Sequence, residues 1–151
     1  MKVMVRPATA QDPALDEIVD LFNDYRAHYG HPGSSEATRG WLRDQLTERR
    51  LQLAVAMVGG RGAGFVTTTV VPASQTLRTF WLIRDLYVDP AHRRSGVARA
   101  LLQYVIDAAR AGGAHRLSLQ TETANTAALR LYASAGFESV TGLQLLNLKL
   151  T

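Results

Sequence analysis

The sequence predicts a single domain of the α/β (α+β) class over residues 1–151, with elements in the order β-α-α-β-β-β-α-β-α-β-β. Two observations predict this class. Apolar residues recur at helical spacing in four stretches, and short β-prone runs bounded by glycine and proline lie between them. At 151 residues, with 46% hydrophobic and 20% charged residues, the chain is ordinary for one globular core.

The first third of the chain predicts one strand followed by two helices. Residues 2–6 alternate like a short strand. Asp12 and Pro13 then predict a helix start, with the aspartate as cap and the proline at the first helical position. Turn-forming residues at 31–35 separate this helix from a second one, which carries Trp41. The apolar stripe of the first helix consists of Leu15, Ile18, Val19, Phe22, Tyr25 and Tyr29.

The middle of the chain predicts three strands. Leu51–Val58 is almost wholly apolar, which is typical of a buried strand. The glycine-rich turn at 59–62 leads into a second strand over Gly64–Val71, so the two form a hairpin. A third strand over Thr79–Val88 ends at the following Asp-Pro pair, because proline lacks the N–H that strand pairing needs.

A basic loop follows this third strand and precedes a long helix. Residues 93–98 read RRSGVA, and apolar residues at helical spacing from Val97 to Ala109 predict a helix that Gly112 ends. The backbone amides of such a loop and helix N-terminus attract anions, most commonly phosphate. The chain has no Lys-Ser or Lys-Thr pair for a P-loop, and the G-x-G-x-x-G glycines of a dinucleotide fingerprint cannot be filled here. We therefore predict a different kind of phosphate-binding turn.

The last third of the chain predicts a strand, a helix and the closing strands. Residues 115–121 alternate as a strand does, and residues 125–135 carry apolar side chains at helical spacing. Gly136 ends that helix and Phe137 follows, the usual pairing of a small and an apolar residue. Leu143–Leu150 predicts the last strand.

Two segments resemble the signatures of the GNAT superfamily of N-acetyltransferases. Arg93-x-x-Gly96-x-Ala98 is similar to the acetyl-CoA signature [RQ]-x-x-G-x-[GA], and 125–137 is similar to N-x-x-A-x-x-[LF]-Y-x-x-x-G-F. The order of the elements also matches. The resemblance implies a mixed, mostly antiparallel sheet of about seven strands with helices on both faces. It further implies transfer of acetyl from acetyl-CoA to a primary amine of a small molecule or peptide, by direct attack in a ternary complex.

The resemblance assigns a cofactor-binding set around the basic loop. It implies that the pyrophosphate contacts the loop amides, that the pantetheine arm lies along the preceding strand, and that a bulge there aims the N–H of Leu86 or Tyr87 at the thioester oxygen. The alternative for Arg93 and Arg94 is a pair of solvated surface charges. The implied cofactor-binding residues are Leu86, Tyr87, Val88, Arg93, Arg94, Ser95, Gly96, Val97, Ala98, Arg99 and Asn125.

The resemblance also assigns the catalytic residues. Tyr132 is similar to the family's general acid, since a phenol with a pKa of about 10 is protonated at neutral pH and can donate to a thiolate. The alternative is a tyrosine that only packs in the helix core. Asn125 is predicted as a catalytic residue, a helix N-cap, or both. Asp85 is the first candidate base for the acceptor amine, with a structural carboxylate as its alternative, and Glu122 is the second candidate.

The resemblance implies that the first two helices and their connection form one wall of the acceptor pocket, so residues 25–31 are expected to line it. Tyr25 and Tyr29, together with Asp85 and Glu122, are the predicted substrate-binding residues, and Trp81 is a further candidate. The two tyrosines have core packing as their alternative role. Polyamine-type relatives carry two adjacent acids where this chain has Arg84-Asp85, which argues against a cationic polyamine acceptor.

Composition narrows the remaining functions. The chain has no cysteine, so no cysteinyl thioester can form, and its four histidines show no metal-ligand spacing. The net charge is +4, but the arginines are scattered apart from Arg49-Arg50 and Arg93-Arg94, which does not favour a nucleic-acid partner. No apolar run approaches the ~18 residues of a membrane span and no signal peptide is recognisable, so we expect a cytoplasmic protein without a membrane partner. A homodimer is a further expectation. The competing hypothesis is a degenerate member that binds acetyl-CoA as a sensor without turnover.

Overall fold

The computed structural model of the chain describes residues 2–151. These residues divide into two compact units, one up to Gln120 and one from Thr121 onward. The elements of the first unit are β1 Val3–Ala8, α1 Leu15–His28, α2 Ser35–Thr47, β2 Gln52–Val58, β3 Arg61–Ala73, β4 Arg78–Val88, α3 Val97–Ala111 and β5 Leu117–Leu119, with short 3₁₀ turns at Ser74–Thr76 and Pro90–His92. The second unit contains α4 Thr126–Ser134.

The strands of the first unit form one open sheet in chain order, β1-β2-β3-β4-β5. The pairs β1–β2, β2–β3 and β3–β4 are antiparallel, whereas β4 and β5 are parallel. The long connection through α3 is what permits this parallel pair, because a tight turn joins only antiparallel strands. The predicted mixed, mostly antiparallel sheet and the predicted β2–β3 hairpin are therefore confirmed.

Helices cover both faces of this sheet. On one face Leu53, Val55 and Phe65 belong to the same core cluster as buried residues of α1 and α2. Side chains alternate along a strand, so the residues between them point to the opposite face. There α3 packs closely, since a Cβ on Gly64 would lie 3.3 Å from Cγ1 of Val97. The expected coverage of both faces is confirmed.

A β-bulge interrupts the pairing of β3 with β4. Thr67 pairs with Asp85 but Thr68 pairs with Ile83, so Arg84 is the extra residue in the register. The bulge changes the facing of the strand: Asp85 lies on the α1 face with Thr67, while Ile83 lies on the α3 face with Thr68. Two residues that are two apart in sequence thus lie on opposite faces.

The first helix begins later than predicted. α1 starts at Leu15 with Ala14 at the N-cap position, instead of starting at Pro13. The Asp12 carboxylate accepts a hydrogen bond from the Ala14 N–H at 2.9 Å and forms an ion pair with Arg6. Asp12 therefore joins β1 to the turn before the helix. In the sequence alone, an aspartate before an apolar stripe looks the same whether it caps the helix or joins the preceding strand to the turn.

In the second unit the predicted ends of α4 are confirmed. The side chain of Asn125 accepts a hydrogen bond from the Ala128 N–H at 3.2 Å, so its N-cap role is observed. Past the last turn, the Phe137 N–H donates to the Tyr132 carbonyl at 3.0 Å. Gly136 stands between them in the left-handed conformation, as the pattern predicted.

The predicted last strand over Leu143–Leu150 is wrong, and the sheet has five strands instead of about seven. Residues 137–151 are all described, and none lies in a helix or strand. An alternating apolar pattern says which face a side chain would occupy, but a strand also needs a neighbour for its backbone hydrogen bonds. Without one, the leucines at 143, 145, 146, 148 and 150 stay between 68% and 86% exposed.

Candidate active site

A cavity of about 530 Å³ opens on the α1 face of the first unit. We call it the α1–α2 cavity, since its walls come from these helices, from the residues before β2 and from the bulge in β4. Its size suits a small organic molecule. Three arginines against one aspartate make its walls net positive. The lining residues are Phe22, Arg26, Ala37, Thr38, Trp41, Gln45, Arg50, Leu51, Arg84 and Asp85.

Asp85 is held in the wall of this cavity by two hydroxyl groups. The Tyr25 hydroxyl donates to Oδ1 of Asp85 at 2.7 Å, and the buried Thr67 hydroxyl donates to Oδ2. Burial and the hydrogen bond to Asp85 raise the pKa of Tyr25 above that of an ordinary tyrosine, so Tyr25 stays a neutral donor. A carboxylate has about four acceptor positions, so lone pairs remain for a ligand.

β4 has an unpaired edge beyond its bulge. Its parallel pairing with β5 covers only Trp81–Ile83 against Leu117–Leu119. Within the first unit as described, residues 2–120, no strand pairs with the far edge of Leu86–Val88. The bulge lies where this pairing ends, and a bulge is a usual way to stop pairing and turn a strand away from its neighbour.

The alternation of backbone groups identifies which amides face this edge. The Asp89 N–H donates to the Ala63 carbonyl of β3 at 2.9 Å. Backbone groups along a strand point to opposite edges in turn, so the Tyr87 amide also faces β3. The amides of Leu86 and Val88 therefore face the open edge. Of the two predicted donors to a thioester oxygen, only Leu86 has its N–H at this edge.

The loop after β4 exposes backbone amides at the start of α3. Gly96 has φ +83°, and no heavy atom lies within 4 Å of the place where its Cβ would be. The first amides of a helix lack intrahelical acceptors, and no side chain of the described residues caps those of Val97, Ala98 and Arg99. This is an arrangement that binds anions.

Side chains on either side of Gly96 shape the same loop. Nε of Arg93 donates to the Val88 carbonyl at 3.3 Å, which ties the loop to the end of β4. The exposed Arg94 has φ +62°, and the Ser95 hydroxyl donates to the His92 carbonyl. Val97, 1% exposed, anchors the helix start in the core. The predicted phosphate-binding residues thus surround an open, positively charged turn.

The remaining predicted catalytic residues lie in the second unit. Asn125 is exposed and caps α4, and its own N–H donates to the carbonyl of Glu122 at 3.0 Å. Tyr132 is half-buried, with its ring edge-on to Phe137 at a centroid distance of 5.8 Å. Their catalytic roles stay predictions.

The aromatic residues named for the acceptor site lie on both faces of the sheet, and their substrate-binding roles stay predictions. Tyr25 and Tyr29 pack against each other with ring centroids 5.3 Å apart, and neither lines the α1–α2 cavity. Trp41 lines the α1–α2 cavity, and its ring centroid lies 6.0 Å from that of Phe22. Trp81 lies on the α3 face, where a Cβ on Gly112 would approach its ring to 3.0 Å. The bulge at Arg84 explains this, because it reverses the facing of β4 between positions 81 and 85.

Several cavity residues were missed by sequence reasoning. Trp41, Arg50 and Arg84 line the cavity, and only Arg84 carried a signal, as a basic residue where polyamine-type relatives have an acid. Trp41 and Arg50 meet there only through the packing of α1, α2 and the start of β2. Arg26 also lines the cavity, and it belongs to the stretch 25–31 that was expected at the acceptor pocket. Among the described residues no cluster of three potential metal-ligating side chains occurs. No helix among them is long and apolar enough to cross a membrane.

Comparisons with known proteins show similarity to acetyltransferases. The model of the family described as Acetyltransferase (GNAT) family matches residues 15–137. The uncharacterized N-acetyltransferase YhfO of Bacillus subtilis (strain 168) is 31% identical over 138 residues, covering 91% of both chains. The ribosomal protein bS18-alanine N-acetyltransferase of Escherichia coli (strain K12) is 38% identical over 82 residues, 54% of this chain and 51% of that one. A crystal structure of a probable acetyltransferase superposes with a TM-score of 0.89 and 29% identity, covering 100% of this chain and 99% of the other.

Proposed function

Because the chain belongs to the GNAT family of acetyltransferases and is therefore an acyltransferase, we propose that it acetylates a primary amine of a small molecule or peptide. Acetyl-CoA is the donor in this proposal, and the amine attacks it directly within a ternary complex. The observation that carries the proposal is the open edge of β4 at Leu86–Val88, followed by the exposed amides at the start of α3.

These two features suit the two ends of the donor. The amides of Leu86 and Val88 can pair with a pantetheine arm as a sheet pairs with an added strand. The amides of 97–99, with Arg93 and Arg94 nearby, can receive its pyrophosphate. The bound donor supplies a thioester carbonyl and a sulfur leaving group. Leu86 is the proposed donor to the carbonyl oxygen, since its N–H faces the open edge.

Asp85 is the proposed base for the acceptor amine. An alkylammonium ion with a pKa near ~10.4 must lose a proton before it attacks. Asp85 lines the α1–α2 cavity, and its oxygens are oriented by the hydroxyls of Tyr25 and Thr67. Glu122 is the alternative base.

Tyr132 is the proposed acid. Its phenol would donate a proton to the leaving sulfur. Asn125 caps the N-terminus of the same helix and would hold the first turn of α4 in position. Both residues belong to the part of the chain that the family model matches.

The nature of the acceptor rests on the relatives and on the cavity. One relative is named for acetylating an alanine of a ribosomal protein, which supports an amine acceptor. The cavity of about 530 Å³ has room for a small amine or the end of a peptide. We further propose that the protein is a cytoplasmic homodimer. Light scattering of the purified protein would test its oligomeric state.

Release of the CoA thiol tests the proposed function. The chain has no cysteine, so a thiol reagent reports only CoA formed from acetyl-CoA. A panel of amino acids, short peptides, polyamines and aminoglycosides should contain an amine that gives amine-dependent thiol release and an acetylated product by mass spectrometry. Binding of acetyl-CoA without turnover on any amine would contradict the proposal and favour the sensor hypothesis.

A further inference from the structure

Two consecutive residues of β4 with opposite charges face the same cavity. Along a regular strand, neighbours such as Arg84 and Asp85 would point to opposite faces of the sheet. Arg84 is the bulge residue, however, and both side chains line the α1–α2 cavity. The cavity wall therefore carries a guanidinium group directly beside a carboxylate.

The remaining charges leave Arg84 available for a ligand. Arg50 forms an ion pair with Glu48 and donates to Gln45, so its charge is largely satisfied within the protein. Arg26 donates to the neutral Pro32 carbonyl at 2.9 Å. In the part of the chain that the structure describes, neither Arg26 nor Arg84 takes part in an ion pair. With a single carboxylate against these cations, the cavity repels polycations and attracts an anionic group.

Apart from the charged residues and the polar Thr38 and Gln45, the cavity wall is apolar. Phe22 and Trp41 lie with their ring centroids 6.0 Å apart, and Leu51 adds an aliphatic surface. A ligand that fills the cavity therefore combines an apolar body with a positively charged and a negatively charged head close together.

We propose that the acceptor is a free α-amino acid with an apolar side chain, whose ammonium group lies at Asp85 and whose carboxylate lies at Arg84. This inference rests on the proposed function and names the substrate class of that same site. The acceptor nitrogen forms a bond to the acetyl carbon while the carbon–sulfur bond breaks. Of the two protons that the ammonium loses, one passes to Asp85 and then to solvent, and the other ends on the CoA sulfur. Arg84 takes no part in the chemistry and positions the carboxylate.

Three amines with the same apolar body test this proposal: L-leucine, L-leucinamide and 3-methylbutylamine. L-Leucine should be acetylated with a kcat/KM about tenfold or more above the other two, as expected for a charge-assisted pair of carboxylate and guanidinium. Leucinamide has the more acidic ammonium, and so more free amine at neutral pH, which makes the comparison conservative. An aminoglycoside serves as the polycationic comparison and should be the poorest acceptor.

Substitutions of Arg84 test whether this residue causes the preference for L-leucine. Arg84→Gln should lower kcat/KM for L-leucine about tenfold, mainly through KM, and leave leucinamide unchanged, so that the preference disappears. Arg84→Lys keeps the positive charge but lacks the planar guanidinium group, and it should retain part of the preference for L-leucine. Arg43→Gln removes an exposed arginine of α2 that does not line the cavity and should change neither substrate.

The outcomes separate the inference from the function on which it rests. Acetylation of all three amines at similar rates, or an equal loss for leucine and leucinamide in Arg84→Gln, would overturn the amino-acid proposal and leave the acetyltransferase in place. No acetylation of any amine, with acetyl-CoA still bound, would overturn the proposed function itself. Should Arg84→Gln fail to fold, the Arg84→Lys variant and the three-amine comparison on the unaltered protein decide the question.

Discussion

Substituting Gly96 by tryptophan tests the proposed pyrophosphate site. Gly96 has φ +83° with open space at its Cβ position, directly before the uncapped amides of α3. A tryptophan side chain would occupy that space. Each hydrogen bond from an amide to a charged phosphate contributes about 1.5–3 kcal/mol, so blocking two of them costs about 3–6 kcal/mol. The dissociation constant for CoA should rise roughly 10²–10⁴-fold.

Gly113→Trp is the matched control. Gly113 has φ +75°, also with nothing within 4 Å of its Cβ position, but it follows the other end of α3, about 22 Å away along the helix. A tryptophan in the left-handed region costs about 1–2 kcal/mol of stability at either position, so both variants should lose similar thermal stability. Calorimetry should show CoA binding lost only in Gly96→Trp. Equal CoA affinity in the two folded variants would refute the assignment of the loop.

Three further predictions concern the catalytic groups and the stability of the fold. Tyr132→Phe should lower kcat roughly 10²–10⁴-fold with CoA affinity little changed. A variant that keeps the wild-type kcat when chemistry is rate-limiting would show that Tyr132 is only a packing residue. Asp85→Asn should reduce kcat/KM most at neutral pH, and the loss should shrink towards the pKa of the amine; a pH profile parallel to wild type would exclude Asp85 as the base. The hydrogen bond from Arg6 lowers the pKa of Asp12, so this pair stabilises the fold above the unfolded pKa of about 3.9 and loses its effect as pH falls through the folded pKa. Asp12→Asn should therefore cost about 1–2 kcal/mol at neutral pH and little near pH ~2 in denaturant titrations. Asp16→Asn should cost little at either pH, because the Asp16 side chain is 83% exposed.

Local sequence patterns predicted most elements of the first unit and the cap of α4 in the second. The apolar stripe of α1, the glycine turn between β2 and β3, and the Asn125 cap each depend on residues within one or two turns of each other, so the sequence could show them. The start of α1 was misplaced because the Asp12 carboxylate pairs with Arg6 of β1 in addition to the Ala14 amide. The helical pattern of apolar residues does not show that a cap candidate is also an ion-pair partner of the preceding strand.

The site was only partly predictable for a physical reason. The resemblance implied a bulge in this strand and named Asp85 and Leu86 as candidates, but the position of the bulge at Arg84 appears only when β4 is paired with β3. That bulge puts Arg84 beside Asp85 and moves Trp81 to the α3 face. Periodicity within one strand cannot show this. For the same reason the alternating leucines of 143–150 predicted a strand for which the described chain provides no pairing partner.

Amide hydrogen exchange measured by NMR tests the central claim that the donor lies along the open edge of β4. Without ligand, the Leu86 and Val88 amides should exchange faster than the Tyr87 amide, which is already paired with β3. Saturating CoA should slow exchange at Leu86 and Val88 and leave Tyr87 nearly unchanged. Unaltered exchange at Leu86 and Val88 while calorimetry shows CoA bound would contradict the placement of the donor.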